Sequence, residues 1–208
     1  MKRVDFFYDF SCPYAYLAHT QIEAVCARAG AVLVWRPMLL GGVFQAVGTV
    51  QVPFAAMTAS KARHNACDMF RWADHFDVPL TLPEAHPNRT VLALRATLAA
   101  GAEIPRASKA LFAAYWVLGR DVSQPDVVRA ALDGAGLDGD ALLARAEDPE
   151  IKAALRVRTD EAIAHGVFGA PAFVVTAAGV AGDLFWGQDR LDFVEKSLGG
   201  WSVKAGNS

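Results

Sequence analysis

Between Val4 and Phe10 the chain runs Val-Asp-Phe-Phe-Tyr-Asp-Phe and then breaks at Ser11-Cys12-Pro13. A short aromatic run bounded by a break predicts a first strand. Pro13 suits the opening position of a helix, where its missing N–H costs nothing. Tyr14, Leu17, Ala18, Ile22 and Val25 recur at helical spacing, and Gly30 closes the segment. Val32 to Arg36 predicts a second strand, stopped by Pro37. The three elements make a strand–helix–strand unit whose crossover is expected to be right-handed.

The pattern changes after Pro37. Residues 39–49 contain Gly41, Gly42 and Gly48 and predict a loop with a short helical piece. Alanine-rich runs with apolar residues three and four apart follow near 54–76, 89–100, 105–118, 124–134, 138–146 and 149–165. Prolines at 79, 83, 87, 105, 125 and 149 punctuate these helical runs. Strand signals return at Ala172 to Thr176 and in a run ending at Leu184-Phe185-Trp186, with Ala177-Ala178-Gly179 as the turn between them. A last helix is expected from about Gln188-Asp189 to Leu198. Each β flank is too small to bury a core by itself. The economical solution is one α/β domain, 1–50 with 160–208, interrupted by an all-helical insertion over 51–159.

Composition narrows the function. Hydrophobic residues make up 53% and charged residues 20% of the 208, so a packed core is expected. Twenty basic residues against 22 acidic ones leave a formal charge of -2, which gives a nucleic-acid backbone nothing to bind. No apolar run reaches the length of a membrane span, and Asp5 and Asp9 interrupt any export signal at the N-terminus. A cytosolic location, with no membrane and no nucleic-acid partner, is the expectation. The three cysteines, Cys12, Cys26 and Cys67, form neither a C-x-x-C pair nor a zinc spacing, so no metal is expected.

Three segments carry candidate chemistry. Cys12 precedes Pro13 at a strand-to-helix junction, where unpaired N–H groups and the helix dipole favour negative charge. A thiol there is expected to have a lowered pKa and to be nucleophilic. Alternatively it is a small buried residue that happens to precede a helix. Cys26 and Cys67 lie inside helical patterns and are expected in the core. The position three after Cys12 is Ala15, so no resolving cysteine stands where a dithiol exchanger needs one. In Phe168-Gly169-Ala170-Pro171, Pro171 starts a strand. A cis bond there would turn the Ala170 backbone toward an extended peptide ligand, although local sequence favours the trans form. In Trp186-Gly187-Gln188-Asp189-Arg190, Asp189 is placed as a helix N-cap. Alternatively that turn receives a carboxylate while Asp189 meets an ammonium, together the head of an α-amino acid. The five histidines fit no catalytic signature, Trp72 and Trp116 read as packing, and Asn88-Arg89-Thr90 reads as a cap or, alternatively, as lining a substrate cleft.

These segments together resemble a known family. Phe7-Tyr8-Asp9-Phe10-Ser11-Cys12-Pro13-Tyr14-Ala15-Tyr16-Leu17 is similar to the opening of the 2-hydroxychromene-2-carboxylate isomerases, relatives of kappa-class glutathione transferases and of DsbA-type oxidoreductases. Trp35 to Phe44, Gly166 to Pro171 and Phe185 to Leu191 match the family's later landmarks in order. The resemblance implies a thioredoxin-like (DsbA/kappa-type) sheet with a helical insertion, a cis proline, bound glutathione and a homodimer. It implies glutathione-dependent ring opening and double-bond isomerisation of 2-hydroxychromene-2-carboxylate or a similar small aromatic substrate. A kappa-type transferase or a one-thiol oxidoreductase using Cys12 is the alternative. Cys12 stands in the place of the family's catalytic serine. Ala170, beside Pro171, would bond the cysteinyl backbone of glutathione, and Gln188 and Asp189 would hold its γ-glutamyl end. Thr49 stands where the family has an asparagine, and Gln45 where it has a lysine.

Overall fold

The computed structural model describes residues 1–84, 86–178 and 180–203. The strands are β1 (Arg3–Tyr8), β2 (Val32–Pro37), β3 (Ala172–Ala177) and β4 (Val180–Trp186). The helices are α1 (Pro13–Ala29), α2 (Leu40–Val47), α3 (Ala59–His75), α4 (Val91–Ala99), α5 (Ile104–Trp116), α6 (Pro125–Gly134), α7 (Gly139–Ala146), α8 (Pro149–Ala164) and α9 (Leu191–Leu198). The sheet has the order β2-β1-β3-β4. β1 runs parallel to β2 and antiparallel to β3, and β3 is antiparallel to β4. This is the thioredoxin-like α/β arrangement, with helices α2 to α8 between the two halves of the sheet in chain order. Gly179, in the expected turn between β3 and β4, lies outside the described residues.

Local chemistry explains the first unit. Pro13 occupies the first turn of α1, and Gly30 ends it in the left-handed conformation (φ 63°) that glycine adopts without steric cost. Phe6 sits opposite Trp35 on β2 and Phe173 on β3, stacking on Phe173 at 5.3 Å. The same aromatic layer continues into the insertion. Tyr8 and Phe10 pack on Phe112 of α5 at 5.4 and 4.9 Å, and the Trp116 indole N–H donates to the Phe10 carbonyl at 2.7 Å. All five of these side chains (Phe6, Tyr8, Phe10, Phe112, Trp116) are fully buried, and each such burial is worth roughly 1.5–3 kcal/mol. Sheet and insertion therefore share one core.

Two expectations are corrected. Residues 40–47 form a complete helix, α2, rather than a loop with a helical piece. Its glycines serve packing: a Cβ on Gly42 would come within 3.0 Å of the Thr159 methyl on α8. Cys67 is exposed on α3, whereas Cys26 is buried as expected. α3 buries only Met69 and Ala73, so most of its residues, Cys67 among them, face outward. α8 runs without a break through 159–160 and contacts α2 and β2 as well as α4 and α7.

Candidate functional site

β1 delivers the chain to residues 9–12, which turn it over the end of the sheet into α1. Cys12 is the N-cap residue of α1. Its N–H donates to the Asp9 carbonyl at 3.1 Å, and its carbonyl accepts from Ala15 and Tyr16. The Cys12 thiol donates to the Ala170 carbonyl at 3.1 Å. The Ala170–Pro171 bond is cis, which matches the family pattern and corrects the trans form favoured by local sequence. The Gly187 N–H donates to the Pro171 carbonyl at 3.0 Å, so the 187–190 turn lies against the cis proline. Three stretches separated by up to about 175 residues in the chain thus meet at one place.

The thiol is not the expected low-pKa nucleophile. Cys12 is only 7% exposed, and burial pushes its thiol up to about 12. The backbone N–H groups of Ala15 and Tyr14 work against that rise, and the Asp9 charge adds to it. The helix-terminal donors identified from sequence are present, but desolvation outweighs them. The bond to Ala170 also requires the proton, so Cys12 stands as a neutral S–H donor.

Sequence reasoning missed two neighbours. Tyr14 is half-buried, and its phenol is pushed up to about 12 by burial and by the nearby Asp68 and Asp189 charges. It stands at the mouth between α1, α3 and the 188–190 turn. Asp9 is 1% exposed and accepts from Ser11, Leu40 and Thr90. Its place three residues before Cys12 is the only local hint of either role.

The remaining expected residues divide. Gln188 is buried in a single 3-10 turn, Gln188–Arg190. Asp189 lies inside that turn and is not an N-cap: Arg190 holds the cap position of α9, and the Asp189 carboxylate pairs with Arg190 at 2.6 Å. Thr90 caps α4 by position, but its hydroxyl goes to Asp9 rather than to the helix. Thr49 is exposed after α2, and its N–H closes that helix on the Phe44 carbonyl. Two surface cavities, of about 290 and 250 Å³, lie elsewhere; one is lined by Arg89, Arg95 and Glu147 among others, the second by Met1, Lys2, Ala177 and Leu198 among others, and neither is lined by Cys12, Thr49, Ala170, Pro171, Gln188 or Asp189. Among the described residues no helix is long and apolar enough to cross a membrane.

The donors present fit a glutathione-like ligand. No bond to the Ala170 N–H is found among the described residues, and the first-turn N–H of Tyr14 faces the Cys12 sulfur. Together they offer backbone pairing to a peptide and a positive field to a sulfur anion.

Comparison with known proteins places this geometry. A profile described as a DSBA-like thioredoxin domain matches residues 3–199. A 2-hydroxychromene-2-carboxylate isomerase of Sphingobium xenophagum is 31% identical over 95% of this chain and 98% of its own length. Human glutathione S-transferase kappa 1 is 26% identical, covering 95% of this chain and 91% of its own. A solved 2-hydroxychromene-2-carboxylate isomerase superposes with a TM-score of 0.78 at 23% identity, over 95% of this chain and 94% of that one.

Proposed function

Since this chain belongs to the DSBA-like thioredoxin family, we propose that it is a glutathione-dependent isomerase acting on 2-hydroxychromene-2-carboxylate or a close aromatic relative. The observation that carries this reading is the Cys12 thiol. Burial pushes it up to about 12, its sulfur lies 3.1 Å from the Ala170 carbonyl beside a cis proline, and Ala15 stands where a redox partner would. That arrangement suits a hydrogen-bond donor better than a disulfide exchanger. The identity to a named isomerase over nearly the whole chain supports the reaction class.

When bound, glutathione supplies a sulfur nucleophile whose reversible addition lets a double bond rotate with no net redox change. The protein's part is to hold that sulfur and its substrate. The Tyr14 and Ala15 N–H groups set a positive field at the start of α1, and Cys12 adds an S–H donor. Ala170 pairs with the peptide backbone through its N–H. Gln188 and Asp189 hold the γ-glutamyl head, for which Asp189 exchanges its Arg190 partner for the ligand ammonium. Thr49 closes the far end. The proposal includes a homodimer, as the family resemblance implies, and a cytosolic location, as expected from the sequence.

A continuous absorbance assay with 2-hydroxychromene-2-carboxylate tests it. Turnover is expected only with glutathione, and Cys12→Ala is expected to lower kcat about 10²-fold by removing one donor to the anion. Turnover of equal rate without glutathione would contradict the proposal.

A further inference from the structure

Asp9 is a buried acid that has no cation attached to it among the described residues. Its Oδ1 accepts from the Ser11 N–H at 3.0 Å, the Ser11 hydroxyl at 3.0 Å and the Thr90 hydroxyl at 2.7 Å. Its Oδ2 accepts from the Leu40 N–H at 2.9 Å. The donors come from three separate stretches: the β1–α1 connection, the start of α2 and the residue that opens α4. The Asp9 carbonyl takes the Cys12 N–H at 3.1 Å. Burying a carboxylate costs several kcal/mol unless its oxygens are satisfied. Here both are, with a backbone N–H on each, an arrangement that suits the anion. Burial pushes the carboxyl up and the four donors work against that push.

We propose that Asp9 is the positioning residue of the thiol site, a clasp that holds the Cys12 loop against Ala170 and pins the insertion to the same point through Thr90. Its second effect is electrostatic. The groups that feel its charge are the Tyr8 and Tyr115 phenols and the Cys12 thiol. Among the described residues its side-chain partners are hydroxyls and amides only, so in its ionised form its charge is uncompensated and adds to the burial that keeps Cys12 in its S–H form. The catalytic consequence rests on the isomerase reading above; the clasp itself does not.

The test uses the full chain in a Cys67→Ser background, because exposed Cys67 would react first, while Cys26 is buried. The pH dependence of Cys12 alkylation by iodoacetamide is measured in the parent, Asp9→Asn, Thr90→Val and Thr90→Ser. Asp9→Asn keeps the shape, loses the charge and sets an NH2 donor against one of the two backbone N–H groups, so both the charge and one arm of the clasp are removed and the midpoint should fall by about one pH unit or more. Thr90→Val should leave the midpoint in place but lower kcat about tenfold by releasing the insertion, and Thr90→Ser should restore it. A parental midpoint in Asp9→Asn, or a parental kcat in Thr90→Val, overturns the proposal. If Asp9→Asn does not fold, alkylation at fixed pH decides: several-fold faster in Thr90→Val and parental in Thr90→Ser supports the clasp, and equal rates overturn it. A parent without isomerase activity would sink the functional reading alone, and the alkylation midpoints would still judge Asp9.

Discussion

At Cys12 two influences of opposite sign meet within one side chain. The opening of α1 favours a sulfur anion, while burial under Ala170 and the charge of Asp9 oppose one. Burial wins for the resident thiol, which leaves it a neutral donor to the Ala170 carbonyl. Cys12→Ser should therefore keep kcat within about tenfold of the parent, because a donor of similar reach survives. Steady-state kinetics in the glutathione-dependent assay check this, and a loss as large as that in Cys12→Ala would mean that the thiol itself reacts. The position of Cys12 was legible from Pro13 and the strand before it. Its protonation was not, because it is set mainly by burial against distant parts of the chain such as Ala170, 158 residues away. Asp9 was illegible for the same reason: two of its donors, Leu40 and Thr90, lie at the starts of distant helices.

Among the elements, periodicity located the helices of the insertion to within a few residues, because each carries an apolar stripe and most begin at a proline or a capping side chain. α2 was obscured by Gly41 and Gly42, whose weak helix propensity is offset by the close approach of α8 at Thr159. The seam between α1 and α5 carries a pH signal. His19 on α1 stacks on Phe112 of α5 at 4.6 Å, its Nδ1–H bonded to the Tyr16 carbonyl, and burial pulls it down to about 4. The unfolded chain then binds a proton near pH 6.5 that the folded chain refuses until about pH 4. Stability from this residue is complete above pH 6.5 and is lost as pH falls toward 4, by roughly 3 kcal/mol. His86, also lowered by burial, acts with the same sign. Denaturant titrations at pH 7 and 4.5 should show this loss in the parent and a smaller one in His19→Gln; equal losses would remove His19 as the cause.

Over the whole molecule, the shared aromatic core fixes the insertion against the sheet, so the site at their junction is held by both. A ligand that binds the folded chain alone stabilises it in proportion to its occupancy, but that gain is blind to where its sulfur lies. The central claim concerns the sulfur: the start of α1 keeps the glutathione thiol anionic while Cys12 retains its proton. The most direct measurement is the ultraviolet difference spectrum at thiolate wavelengths when glutathione is added to the protein near neutral pH. The account predicts a thiolate band that appears with glutathione, persists in Cys12→Ser and weakens strongly in Cys12→Ala. Glutathione that binds without such a band, or a band already present before it is added, would contradict it.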